Sequence, residues 1–178
     1  MIGSGCDAPQ RASSQTVAAY EVPLLTPPDR LEFLNLVSSE ANAEGLHVDF
    51  ASDSELERTA DVIPKAKQTM KAAVWRGIED DQCEAVIMDG YDHLGLVWIM
   101  FLQGQDTALA VRFREKVMSK IMARWPETTS LPVTPSGSIP LHRDLIKTPS
   151  GYKLDPANTS RYGVDASSPL VAKPQDYR

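Results

Sequence analysis

The nine residues from Leu94 to Leu102, LGLVWIMFL, contain no charged, amide or hydroxyl side chain. A strand with one wet face alternates apolar with polar residues. A short run that is apolar on both faces therefore predicts a strand in the middle of a sheet, with a covering layer on each side. The run is far too short to cross a bilayer, which takes about twenty residues as a helix.

Such a strand needs neighbours, and the chain before it supplies them. Thr69 to Arg76 and Glu84 to Asp89 read as strands, and the connections Gly77 to Gln82 and Asp89 to His93 are short and polar. Connections of that length predict antiparallel hairpins, so the three strands form a meander. Upstream, Leu46-His47-Val48-Asp49-Phe50 alternates strictly. This predicts a strand with Leu46, Val48 and Phe50 on the core and His47 and Asp49 in water.

Two longer stretches have helical spacing. Thr26-Pro27-Pro28-Asp29 is a helix start: Thr26 caps, proline suits the first positions, and Asp29 follows three residues later. Leu31, Leu34, Val37 and Ala41 carry that helix to about Ala43, and Gly45 ends it. Asp106 caps a second helix that runs to Trp125, with Ala110, Phe113, Val117, Ile121 and Trp125 as its apolar stripe and Pro126 as its stop. Between them, Ser52-Asp53-Ser54-Glu55 opens a short helix that Pro64 ends.

Past Pro126 the chain says Thr-Pro-Ser-Gly twice, at 134–137 and 148–151. Proline pre-sets the first torsion of a turn and glycine accepts the positive φ that follows. Neither copy precedes helical sequence, as an anion-binding loop would, so both are expected to be turns. Leu131-Pro132-Val133 and the stretch that follows contribute short irregular strands. Pro140, which cannot donate to a ladder, puts the excursion from Ile139 to Ile146 at a sheet edge.

The expected architecture is α+β: one antiparallel sheet of about four to five strands with two main helices packed on it. Its order resembles the ferredoxin-like plait, and also the helix-then-three-strand meander of type III secretion chaperones. The likeness implies a layered sandwich and no function. At 178 residues, 42% hydrophobic and 24% charged, the chain can bury a core without disulfides or metals. The expected organisation is a flexible leader over 1–28, the domain over 29–155 and a loose polar tail over 156–178.

A net charge of −6 argues against general nucleic-acid binding, which needs clustered Lys and Arg. The charge is divided, acidic residues crowding 40 to 106 and basic ones 110 to 178. The two regions either attract each other within the domain or present a bipolar surface to a protein partner. The outer face of the second helix carries Arg112, Arg114, Lys116, Lys120 and Arg124. Such a face is either solvated or suited to anionic headgroups, and it lacks the aromatic side chains that stack on bases.

At the amino terminus, Ser4-Gly5-Cys6 is similar to the end of a bacterial lipoprotein signal, in which small residues precede the cysteine that receives the lipid. The resemblance implies lipid attachment at Cys6, with Asp7 in the place of an inner-membrane retention residue and the stretch from Asp7 to Pro28 as an extended tether. It also implies a charged and apolar export segment ahead of Cys6, which Met1 to Gly5 do not supply. The lipoprotein reading puts the chain on the periplasmic side of a bacterial cell envelope; without it the chain is cytoplasmic.

Candidates for chemistry are few. Two cysteines exclude a disulfide framework and a four-cysteine zinc site. Of three histidines, His47 faces out from an alternating strand and His142 belongs to a surface ion cluster with Arg143 and Asp144. His93 closes a hairpin loop with Asp89 and Asp92, and Cys83 starts the strand before it. A Cys83–His93 dyad flanked by Asp89 and Asp92 is therefore the enzyme candidate, although the acidic run Glu79-Asp80-Asp81 would raise the pKa of Cys83. No phosphate loop, dinucleotide fingerprint, nucleophile elbow or metal motif occurs, and no cofactor or metal is expected. The reading that follows is a non-catalytic, envelope-associated, lipoprotein-like binding or accessory module that works through protein contacts. The alternatives are a cytosolic acidic partner protein, such as a secretion chaperone or toxin immunity protein, and a hydrolase-type enzyme around Cys83 and His93.

Overall fold

A computed structural model describes residues 15–52, 56, 70–76, 82–90 and 93–177. Eight strands and two long helices are assigned among them: β1 (Thr16–Pro23), α1 (Pro27–Ala43), β2 (Leu46–Phe50), β3 (Lys71–Arg76), β4 (Gln82–Gly90), β5 (His93–Leu102), α2 (Thr107–Arg124), β6 (Thr129–Leu131), β7 (Leu145–Thr148) and β8 (Gly151–Leu154). Six strands form one sheet in the order β2-β3-β4-β5-β1-β6, and β7 and β8 form a separate hairpin. Every pairing in both sheets is antiparallel. The fold is α+β, with the expected three-strand meander intact from β3 to β5 and β2 paired beside β3.

Strand β5 lies inside the sheet, between β4 and β1. Its Val97, Ile99 and Phe101 are buried in the main core with Phe33 and Val37 of α1 and Phe113, Val117 and Ile121 of α2. Trp98 is buried in a second cluster with Ala19 of β1 and Leu131 of β6, against Val133, Ile139, Leu145 and Tyr152. One face of the sheet thus carries the helices, and the other carries side chains from the segment between Val133 and Tyr152.

Helix ends follow their local sequence. The Thr26 side chain accepts from the Asp29 amide at α1, and Asp106 accepts from the Leu109 amide at α2. Gly45 takes φ 74° just past α1, a conformation only glycine adopts at no steric cost. On β2, Leu46 is buried and Val48 packs against the core as expected, but Phe50 is exposed rather than in the core. The short helix expected after Ser52 lies, apart from Leu56, outside the described residues.

Both ends of the expected domain need correction. The leader was expected to stay extended and free to Pro28, yet Thr16 to Pro23 form β1, an inner strand. Its polar and alanine-rich sequence hides an alternation in which Val22 and Leu24 enter the core and Ala19 and Glu21 are buried. The tail is not loose either. Asp155 caps a 3-10 helix at Pro156–Tyr162, Val171 bridges Leu154, and Val164, Val171 and Ala172 are buried. Asp144 anchors it, accepting from the Tyr162 hydroxyl at 2.6 Å and pairing with Arg161 at 2.7 Å. Two hydrogen-bonded partners hold the Asp144 carboxyl below its ordinary range, Tyr162 contributing more than Arg161.

The doubled phrase is a turn in both copies. Gly137 has φ 80° and donates to the Thr134 carbonyl, while Pro149 and Ser150 join β7 to β8, with Thr148 paired to Gly151. In each copy the threonine is buried and its hydroxyl bonds back onto its own turn. Gly151 is required twice over. Its φ is 121°, and a Cβ there would overlap the Ser130 Oγ and come within 3.1 Å of the Ser130 carbonyl oxygen. Gly151→Ala is expected to destabilise the fold by about 1–3 kcal/mol, seen as a lower urea midpoint, whereas Gly45→Ala, in open space, strains only its own torsion.

Candidate functional site

Register alone disposes of the dyad. Gly90 pairs with His93 at one end of the β4–β5 hairpin, while Cys83 lies at the far end of β4, before the Ala85–Phe101 pair. At about 3.3 Å per residue the two are separated by roughly 20 Å. Flanking a hairpin in sequence was mistaken for proximity: strands this long hold their far ends apart. Asp92 and the side chain of His93 lie outside the described residues.

The two described members of that group have other partners. The Cys83 thiol is half-buried, lies 3.2 Å from the Ala85 carbonyl and is pushed up to about 11, by burial first and by the Glu84 carboxyl to a smaller extent. Asp89 is buried and accepts from the Met70 amide at 2.8 Å. It also pairs with Arg30 at 3.1 Å, and Arg30 reaches the Leu24 carbonyl at 3.4 Å. Asp89 thereby ties the start of α1 to the ends of β3 and β4.

The basic face of α2 is matched by α1. Arg124 pairs with Glu32 at 2.7 Å, Lys120 pairs with Glu40 at 2.5 Å, and Arg112 and Lys116 share Glu44. That order makes the two helices antiparallel, with a ladder of ion pairs along their seam. Arg124 holds the Glu32 carboxyl below its ordinary range, and Lys116 and then Arg112 do the same for Glu44. Arg114 has no ion-pair partner among the described residues. Of the two readings of the charge division, attraction within the domain accounts for the other four cations.

A convergence of four polar side chains lies on the opposite face of the sheet. Glu21 of β1 is 4% exposed and sits across from Trp98 of β5. Its Oε2 accepts from the Trp98 indole at 3.1 Å, and its Oε1 accepts from the Tyr152 hydroxyl at 2.9 Å. The Tyr152 hydroxyl is also 3.1 Å from His142 Nε2, which stands 3.5 Å from Glu21 Oε2. Because Tyr152 donates to Glu21, it accepts from His142, which requires a proton on Nε2. The rings of His142 and Tyr152 meet edge to face, and the Lys147 ammonium lies 5.9 Å from the Tyr152 ring centre.

His142 was expected to share a surface cluster with Arg143 and Asp144. Instead Asp144 pairs with Arg161 and Tyr162, and His142 turns toward the sheet. Nothing local in the sequence announces this site, since Glu21 and Tyr152 are 131 residues apart. The one usable signal is Trp98, an indole N–H in an otherwise apolar central strand, which must find an acceptor.

The arrangement is a hydrogen-bonded seam. Burial, then Glu21, raises the pKa of Tyr152 well above the ordinary phenol value, so it remains a donor and cannot serve as a base at neutral pH. A groove of about 350 Å³ opens beside it, lined by Val17, Ala19, Leu131, Val133, Tyr152 and Leu170 among others. Among the described residues, no group of three or more His, Cys, Asp or Glu side chains could hold a metal ion, and no helix is long and apolar enough to cross a membrane.

These features define an α+β domain whose carboxyl-terminal segment is stitched to one face of its sheet by a polar seam. No protein-family model, curated protein or solved structure matches the chain.

Two outcomes follow from the geometry. Tyr152→Phe removes a donor from a buried carboxylate and is expected to cost about 1–3 kcal/mol, measured as a shift in urea midpoint. In a Cys6→Ser background, Cys83 is expected to react with a thiol reagent at pH 8 about two orders of magnitude more slowly than a free cysteine. Stopped-flow kinetics at the free-thiol rate would contradict its burial.

Proposed function

We propose that this chain is a non-catalytic binding module that acts through protein contacts and is held at the bacterial cell envelope, on its periplasmic side, through Cys6. The observation that carries the contact reading is an apolar corner at the start of α1. Leu25 is 72% exposed and Leu31 is 62% exposed, with the exposed Pro27 and Pro28 between them. Exposed apolar side chains grouped together, rather than scattered singly, are the mark of a contact surface. The anchoring half of the proposal rests on the lipoprotein-like Ser4-Gly5-Cys6 and on the polar stretch that separates it from β1.

The chemistry is consistent with this reading. Asp89 and Glu21, both buried, are spent on holding strands and helices together, and Cys83 is held as a thiol. The basic side chains of α2 are largely answered by α1, so the ladder and not an anionic headgroup layer is their partner in this reading.

Expression from the native locus, with all upstream sequence retained, tests both halves. Mass spectrometry is expected to find a lipid-modified Cys6, and Cys6→Ser to move the protein from the membrane to the soluble fraction. An unmodified Cys6 in a soluble protein rules out the anchor. A photo-crosslinking residue at position 25 or 31 is expected to give a discrete protein adduct in cells that the same residue at position 115, on the outer face of α2, does not give; equal labelling from all three positions rules out the corner as a contact surface.

A further inference from the structure

Glu84 is the one fully buried acid with no partner among the described residues. It is 1% exposed, and neither carboxyl oxygen has a hydrogen bond. Its position explains how it arrives there. In the β3–β4 ladder Val74 pairs with Ala85 and Trp75 pairs with Cys83, so the register skips Glu84, which occupies a bulge. A bulge re-aims the side chain it carries. Here the carboxyl is turned under the junction between β5 and α2, against Gly104. A Cβ on Gly104 would lie 2.5 Å from Glu84 Oε2 and 3.1 Å from the Ala110 Cβ, so the carboxyl fills the space where any other residue would put a side chain.

Among the described residues, two charged groups act on it. From β3 comes Arg76, which lowers the pKa of Glu84; from the start of α2 comes Asp106, which raises it; the Cys83 thiol is its neighbour on β4. Arg76 is not committed. It is 39% exposed and stands 3.8 Å from Asp106 Oδ2, while Asp106 Oδ1 accepts from the Leu109 amide at 3.0 Å. Asp106 therefore touches both the cation and the cap of α2.

We propose that Glu84 is the proton-binding element of a pH-sensitive junction at the start of α2. Protonated, the carboxyl stays seated beneath Gly104. Ionised, it cannot remain in an apolar pocket without a partner. It turns to Arg76, whose charge acts on it from β3, displaces Asp106 from it and loosens the first turn of α2. Burial raises the Glu84 pKa above its ordinary 4.5. A raised folded-state pKa means that the seated form is fully favoured at and below the ordinary value and is lost as pH rises through the raised one.

The test is amide hydrogen exchange at Leu109 and Ala110 from pH 4 to 8, corrected for intrinsic rates, with the Glu84 carboxyl followed by carbon NMR. Protection at these amides is expected to fall as Glu84 ionises, by about tenfold for each pK unit of upward displacement. In Glu84→Gln the protection is expected to stay flat. The same fall in Glu84→Gln, or protection that ignores the Glu84 titration, overturns the proposal. Arg76→Met removes the competing cation and is expected to move the Glu84 titration further up; a titration that stays put or moves down also overturns it.

Discussion

Burial of β5 on both of its faces is the constraint from which the rest of the architecture follows. A strand covered on one side only would leave either Trp98 or the row of Val97, Ile99 and Phe101 in water. Two amphipathic helices cover one row, and the chain after β6 covers the other. Placing a tryptophan in the second row brings an indole N–H into an apolar layer, and the donor must be answered there. Glu21 answers it from the neighbouring strand. A buried carboxylate in turn wants more than one donor, and Tyr152 supplies the second from the covering segment, with His142 bonded to the Tyr152 hydroxyl behind it. The polar seam is thus a consequence of the two-sided strand, and it ties the covering segment to the sheet in one register.

The helical side solves a different problem. Individual ion pairs at a surface contribute little, with a median near zero to 1 kcal/mol, so the α1–α2 ladder is not the main source of stability. The aromatic and aliphatic side chains beneath it are: Phe33, Phe113, Val37, Val117 and Ile121 are fully buried. What the ladder supplies is register. With Glu32, Glu40 and Glu44 opposite Arg124, Lys120 and Arg112, sliding one helix along the other sets like charges against each other or leaves them unanswered. The uneven charge of the two halves of the chain is thereby largely spent inside the domain.

Much of this fold was legible in the sequence, and the reason is local. Thr26 and Asp106 announce their helices through capping, Gly45 through its torsion, and the meander through short polar connections, so α1, α2 and β2 to β5 are read to within a residue or two. What escaped was non-local. Strand β1 hides its alternation behind small and polar residues, and its partners β5 and β6 lie far along the chain. The segment after Asp155 looks loose because its anchors, Asp144 and Leu154, lie outside it. The seam was missed for the same cause: Glu21, Trp98, His142 and Tyr152 come from four parts of the chain. Cys83 and His93 failed in the opposite way, since nearness along a hairpin was read as nearness in space.

The buried carboxyls differ in how each is satisfied. Glu21 and Asp89 accept from groups on other elements, and Glu40 and Asp144 pair with Lys120 and Arg161. Glu84 has no such donors. An acid can be tolerated in that state because it can take up a proton, which limits the cost of its burial to the free energy of protonating it at the prevailing pH. That limit is itself the pH dependence: wherever the surroundings keep the proton on, the junction beneath Gly104 is closed, and wherever they remove it, the burial becomes untenable. The unpaired carboxyl therefore ties the conformation of its neighbours to solution conditions at the first turn of α2.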